Sequence, residues 1–200
     1  FVAATQAGFA VQSNQYGVAS FAFNLSGEPV VPLQSNGPAD GIFWRLDAAS
    51  GTWLRSAYAD GRGSWDSCRQ LVRGPDGRLW FGAVHADAGV SADGGRSFGY
   101  LLQTVPPGAP SPPSKVYACA IGPPEADAPA GAFFTFTEQT GVLYTLDGGG
   151  TWLVPGPAND PSDPAHRMGY GFQNASAGLV LDDGRVLGAC GNATGFGGTD

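Results

Sequence analysis

The chain has 200 residues and a net charge of −7, with 17 acidic and ten basic side chains. This charge argues against nucleic acid or an anionic membrane surface as a partner, because both would repel the chain. No apolar run approaches the roughly 20 residues that a membrane-spanning helix needs. The 32 glycines and 16 prolines, interleaved with aromatic and β-branched runs, predict short strands joined by tight turns.

Four turns, each between two apolar runs, divide the chain into units of similar length. Their central glycines are Gly27, Gly77, Gly131 and Gly184. Successive glycines are 50, 54 and 53 residues apart, and a fixed period of this size is typical of repeat architectures. Each period holds four strand-like runs. In the second unit we predict them at about 65–73, 78–84, 89–92 and 97–103.

An eight-residue motif follows the turn in the second and third units. It reads Ser91-Ala-Asp93-Gly-Gly95-Arg-Ser97-Phe98 and Thr145-Leu-Asp147-Gly-Gly149-Gly-Thr151-Trp152. The first unit has a looser copy from Asp47 to Trp53, with one more residue before its glycine. From turn glycine to motif aspartate the separations are 20, 16 and 16 residues, and the same spacing after the fourth turn falls on Asp200.

The predicted strands are apolar on both faces of the pleat, as in Leu79-Trp80-Phe81 and Val142-Leu143-Tyr144. A sheet that is apolar on both faces must be covered on both. Four-stranded sheets that cover one another radially are the blades of a propeller. We therefore predict an all-β propeller region over 1–200, built of four-stranded antiparallel blades. The blade bounds are about 15–60, 61–110, 111–160 and 165–200, with the last incomplete.

The motif resembles the Asp-box, or BNR, repeat of sialidases, xyloglucan-cleaving glycoside hydrolases, sortilin-type receptors and photosystem II assembly factors. The resemblance implies that the box lies at the turn between a blade's third and fourth strands, remote from the functional face. Its chemistry fits a structural role, because the aspartate can accept backbone N–H groups of its own turn and the aromatic ring can pack between blades. The residues assigned to this role are Asp47, Asp93, Gly95, Phe98, Asp147, Gly149, Trp152 and Asp200. We expect Trp53, Phe98 and Trp152 to occupy equivalent buried positions.

The rim opposite the boxes carries the loops that connect successive blades and the loops between second and third strands. Binding and catalysis commonly reside in loops on a rigid scaffold. The candidate binding residues there are Tyr58, Asp60, Arg62, His85, Glu138, Asn159, Asp160, Asp163, His166 and Arg167. A plain solvated surface is the alternative for these loops. The proline-rich segment 104–114 is either a stiff connector or an extended ligand for a partner.

No metal site and no cofactor is predicted. His85 and His166 are the only histidines, and neither has a second ligand at metal spacing. No glycine-rich phosphate loop opens a helix. The cysteines Cys68, Cys119 and Cys190 are either small buried residues or one disulfide with one thiol left over.

Three N-glycosylation sequons begin at Asn24, Asn174 and Asn192, and they indicate a secreted protein or one in an organelle lumen. We expect Asn174 and Asn192 to face solvent. Asn24 is the weaker candidate because it falls in a predicted strand.

These features leave two functions open. The first is a non-catalytic extracellular or luminal propeller that binds, or assembles with, a protein or glycan partner. The alternative is a glycoside hydrolase of the xyloglucan-cleaving type or, less well supported, of the sialidase type. Sialidases resemble one another in an Arg-Ile-Pro motif near the start, and this chain has none. Asp-box propellers generally have six or more blades. We therefore expect either that later residues or a second subunit continue the ring, or that residues 1–14 supply the outer strand of the fourth unit.

Overall fold

The structure is a computed structural model. It describes residues 15–18, 20–35, 43–58, 68–83, 87–102, 116–137, 141–153, 175–182 and 184–190. These residues form fifteen strands and no helix, which confirms the prediction of an all-β fold for this part of the chain.

The first blade contains five strands. They are β1 (Gln15–Val18), β2 (Ala22–Phe23), β3 (Pro29–Ser35), β4 (Phe43–Asp47) and β5 (Thr52–Arg55). Because β1 and β2 both pair with β3, they act as one interrupted edge strand. The sheet is therefore four strands wide, antiparallel and ordered as in the sequence.

The second blade is the most regular one. Its strands are β7 (Cys68–Arg73), β8 (Leu79–Ala83), β9 (Asp87–Ser91) and β10 (Ser97–Leu102), which lie within three residues of the predicted bounds. They pair antiparallel in chain order. The short β6 (Ala57–Tyr58), which follows the first blade, pairs in parallel with the outer edge of β10. This two-residue contact departs from the antiparallel arrangement that the sequence predicts.

The later blades are shorter within the described residues. The third has β11 (Val116–Ile121), β12 (Phe133–Thr137) and β13 (Gly141–Thr145), with Leu153 bridging to Tyr144 where a fourth strand would run. The fourth has β14 (Ala175–Val180) and β15 (Val186–Cys190).

The first turn of each blade is closed by one backbone hydrogen bond at a corresponding place. Its donors are the N–H groups of Asn24, Gly74, Gly122 and Leu181. The four predicted turn glycines all have positive φ, between 77° and 84°. The third turn is longer, since the N–H of Gly122 bonds to the carbonyl of Ala132. Positions in different blades can therefore be matched by counting from these donors.

Three apolar clusters hold the blades together, one at each boundary between successive blades. At the first boundary Phe43 stacks on Phe98 with ring centroids 3.9 Å apart. At the second, Trp80 stacks on Phe133 at 4.8 Å. Each internal sheet thus buries both faces, as its two-faced apolar sequence requires.

The first strands of successive blades contact one another, and Gln70 on β7 links three of them. Its Oε1 accepts hydrogen bonds from the N–H groups of Cys119 (3.1 Å) and Gly178 (3.0 Å), and its Nε2 donates to the carbonyl of Gly178 (3.2 Å). Cys68 and Cys119 are buried free thiols beside it, and burial raises the pKa of both. For these two cysteines the structure agrees with the buried-thiol alternative.

Candidate functional site

The box of the second blade folds around Asp93. Oδ1 accepts hydrogen bonds from Ser91 Oγ at 2.8 Å and from the N–H groups of Arg96 (3.0 Å) and Ser97 (2.9 Å). Ser97 Oγ donates to Oδ2 at 2.6 Å. Burial alone would raise the pKa of Asp93. The hydrogen bonds outweigh burial and lower this pKa below its usual value, and those from Ser97 contribute most. The carboxylate therefore accepts its hydrogen bonds from residues of its own turn.

The third blade repeats this arrangement around Asp147. Thr145 Oγ1 and the N–H of Thr151 each donate to Oδ1 at 2.8 Å. The N–H of Gly149 donates to Thr145 Oγ1 at 2.8 Å, as Gly95 does to Ser91. The N–H of Thr151, then the hydroxyl of Thr145, lower the pKa of Asp147 to about 2.

The first blade replaces part of the box with a buried polar network. Asp47 accepts from the N–H and hydroxyl of Ser50, at 3.0 and 2.6 Å. Arg45 Nη1 donates to Glu28 Oε2 at 2.9 Å, and both side chains are buried. The hydrogen bond from Asn24 is the main cause that lowers the pKa of Glu28.

Asn24 belongs to this network, which argues against the glycan expected there. Its Nδ2 donates to Glu28 Oε2 (2.8 Å) and to the carbonyl of Gly94 (3.0 Å), and the residue is buried. A sugar on Nδ2 would need the same atom and the same space. A glycan at Asn24 would therefore break at least one of these hydrogen bonds in the folded chain.

The box aromatics behave as predicted in two blades and not in the first. Phe98 and Trp152 are buried, and each packs in the cluster shared with the preceding blade. Trp53 is only partly buried, so the prediction of three equivalent buried rings is wrong for this residue. It lies in the first blade, where no preceding sheet is present among the described residues to cover it.

The other residues predicted from sequence mostly lie outside the described part of the chain. Tyr58 is described only as backbone, in β6. The remaining binding candidates outside it are Asp60, Arg62, His85, Glu138, Asn159, Asp160, Asp163, His166 and Arg167. The same holds for Asn174, Asn192 and Asp200, whose predicted roles stay predictions.

A cavity of about 400 Å³ lies where the first turns of the four blades converge. Four of its lining residues occupy the same position, immediately after the turn donor. They are Leu25, Pro75, Pro123 and Asp182. The first strands that lead into these turns contact one another in series, so the cavity lies at the inner side of the blades. It is on the same rim as the boxes, because the carbonyl of Gly94 contacts Asn24 of the first turn.

The lining of this cavity combines apolar side chains with polar groups, among them one charge of each sign. Ile121 and Val180 line it together with the turn residues, and Arg73 and Asp182 supply opposite charges. Arg73 Nη1 donates to the carbonyls of Phe23 (3.3 Å) and Asn24 (3.4 Å), so the guanidinium is held beside the first turn. Sequence reasoning placed function on the opposite rim and missed this cavity. The sequence feature that these four lining residues share is that each directly follows the donor of its blade's first turn.

The described residues contain neither a metal-binding cluster nor a membrane-spanning helix. They contain no group of three side chains that could hold a metal ion. No helix among them is long and apolar enough to cross a membrane.

No family model and no curated protein matches the chain in sequence. Solved structures do match it in fold. A catalytically inactive variant of virginiamycin B lyase from Staphylococcus aureus, with quinupristin, has 12% identity and a TM-score of 0.58 over 90% of this chain and 51% of its own. A streptogramin B lyase has 15% identity and a TM-score of 0.56, over 91% and 50%.

A third match is the extracellular domain of a putative hybrid two-component system, BT3049, from B. thetaiotaomicron. It has 12% identity and a TM-score of 0.57, over 89% of this chain and 22% of its own. This chain thus spans about half the length of the two lyases. At such identities the likeness is one of fold alone. Together with the stacked antiparallel sheets, it shows that the chain folds as part of a β-propeller.

Proposed function

We propose that the chain is a non-catalytic binding module, extracellular or luminal, that binds a protein partner in the cavity formed by its first turns. One observation carries this proposal: equivalent turn positions from all four blades line a single cavity of ligand size. Repeated turns on a rigid scaffold supply a preformed site with little entropy to lose on binding.

The lining favours a peptide segment over a sugar. The apolar residues Leu25, Ile121 and Val180 suit an inserted aliphatic side chain, and none of the described residues that line the cavity is an aromatic ring on which a sugar could stack. Arg73 and Asp182 offer one charge of each sign to the flanking residues of such a segment. Leu25 is 75% exposed, so it contributes contact area to a partner more than it stabilises the blade.

The described carboxylates with resolved partners support a non-catalytic role. Asp47, Asp93 and Asp147 accept hydrogen bonds within their own turns. Glu28 is paired with Arg45. Each of these groups is held in its ionised form by a structural contact, whereas a general acid in a glycoside hydrolase needs a raised pKa.

The test is selection of a displayed library of random heptapeptides on the immobilised chain, followed by affinity measurement of the enriched peptides. We expect enriched peptides with an aliphatic residue flanked by charges. The Leu25→Asp and Arg73→Glu variants should each bind them at least tenfold more weakly.

The matched control is Leu54→Asp, which changes an exposed leucine of the same blade that does not line the cavity. It should leave the affinity unchanged. If no peptide is enriched, or if the enriched peptides bind all three variants as they bind the unmodified chain, the cavity is not the binding site. Enrichment of sugars instead, on a glycan array with the same variants, would favour the glycan partner.

A further inference from the structure

The two ends of the described series of blades each present an exposed apolar sheet face. On the first blade Phe21 is 61% and Phe23 49% exposed, and their rings form an edge-to-face pair at 5.7 Å. On the fourth, Leu179 and Leu187 are 56% and 48% exposed and lie opposite each other on paired strands. Large apolar side chains clustered in this way usually mark an interaction surface.

The residues equivalent to Phe21 in the internal blades are buried against a neighbouring blade. Counting back three residues from the turn donor gives Leu71 in the second blade and Cys119 in the third. Leu71 packs in the cluster with Phe43 of the first blade, and Cys119 in the cluster with Trp80 of the second. The face that carries Phe21 and Phe23 is therefore the one that receives a preceding blade; we name it the leading face.

The residues equivalent to Leu179 and Leu187 are buried against the next blade. In the first blade the equivalent pair is Ala22 and Val30, and both pack in the cluster with the second blade. On the fourth blade the opposite side of the sheet, with Val180, packs on the third. The face that carries Leu179 and Leu187 is therefore the one that receives a following blade; we name it the trailing face.

We propose that the trailing face of one copy of this chain binds the leading face of a second copy. The described chain already makes this kind of contact three times, once at each blade boundary, so the two end faces are complementary by repetition. Such a contact joins different surfaces of the two copies. Two of them related by a twofold axis close a ring, and a series of them forms an open chain.

The test is the mass of the 200-residue chain in solution, by light scattering after size exclusion over a range of concentrations. We expect assemblies that are multiples of the 20.4 kDa chain mass. Variants with Phe21→Asp and Phe23→Asp together, or with Leu179→Asp and Leu187→Asp together, should each be monomers. All four side chains are exposed, so these variants should keep the circular dichroism spectrum of the parent chain and still unfold cooperatively.

Mixing the two variants distinguishes this contact from any other. The leading-face variant keeps an intact trailing face, and the trailing-face variant keeps an intact leading face, so the mixture should form a 1:1 dimer that neither forms alone. A mixture that stays monomeric overturns the proposal, and so does a trailing-face variant that still dimerises through paired leading faces.

Leu54→Asp serves as the control, since it adds a negative charge to the first blade away from both faces, and it should leave the assembly intact. A parent chain that stays at 20.4 kDa at all concentrations also overturns the proposal. This inference does not depend on peptide binding at the cavity: Leu25→Asp should weaken peptide binding and leave the mass unchanged, so either proposal can fail alone.

Discussion

The box tryptophans of the first and third blades occupy the same position in the repeat and have different surroundings. Trp152 is buried in the cluster shared with the second blade, and Phe98 is buried in the same way against the first. Trp53 is only partly buried. The motif aims its aromatic ring at the preceding blade, and the presence of that blade decides whether the ring is buried.

In the second and third blades a glycine of the box also contacts the preceding blade. A Cβ added to Gly95 would lie 2.8 Å from Val30 of the preceding blade, and one added to Gly149 would lie 2.9 Å from Leu101. Gly51 in the first blade stands two residues before the box aromatic instead of three, and a Cβ added to it would meet nothing within 4 Å. In the second and third blades the box is thus both a turn and a contact between blades.

The largest expected effect comes from removing the aromatic rings. Trp152→Ala should destabilise the fold by about 3–5 kcal/mol, as expected for a buried tryptophan that leaves a cavity. Trp53→Ala should cost less than half as much, because its ring is already partly hydrated. Urea unfolding followed by circular dichroism measures both. Equal losses at the two positions would show that burial against a neighbour is not what distinguishes them.

The next largest effect concerns the box glycines. Gly51→Ala and Gly95→Ala both place a side chain at positive φ, 67° and 88°, which costs about 1–2 kcal/mol. Gly95→Ala should lose a further 1–3 kcal/mol or so, because its methyl group would press on Val30 across the blade boundary. The difference between the two variants in urea unfolding measures this added strain. A difference near zero would mean that the boundary relaxes freely.

The smallest expected effect is the contribution of the box carboxylate. The pKa of Asp147 is lowered from 3.8 to about 2 in the folded chain, so the ionised form stabilises the fold. This stabilisation is complete above the pKa of the unfolded chain and is lost as the pH falls through about 2. In thermal unfolding, Asp147→Asn should therefore lower the midpoint at neutral pH, and the gap to the parent chain should close between about pH 4 and pH 2.

The same measurement on Asp47→Asn probes the looser box. Asp47 accepts hydrogen bonds from Ser50 and, at 3.5 Å, from Arg45. In the other two boxes a Ser or Thr hydroxyl donates to the aspartate and accepts from a glycine N–H, and Arg45 stands at that position in the first box. Its substitution should lower the midpoint less than that of Asp147. A larger effect at Asp47 would show that the network with Arg45 matters more than the box itself.

The candidate site was less accessible to sequence reasoning than the fold. The loops predicted to bind lie outside the described residues, so that prediction stands untested. The cavity on the box rim was missed because its lining residues, such as Leu25, Ile121 and Val180, read as ordinary strand and turn residues. Only the convergence of four turns makes them neighbours. The buried role of Asn24 was missed for the same reason, since its partner Gly94 lies 70 residues away.

The sequence by itself determined the repeat, the strand content and the internal geometry of each box. These depend on local rules: turn glycines adopt positive φ, aspartates accept hydrogen bonds from N–H groups within four residues, and consecutive apolar residues give sheets with two faces to bury. Tertiary structure alone decided which copies of the repeat are buried, which asparagine is hydrogen-bonded and which faces are left exposed. These depend on contacts between blades some 50 residues apart, and similar local patterns have different surroundings at the ends of the series and in its interior.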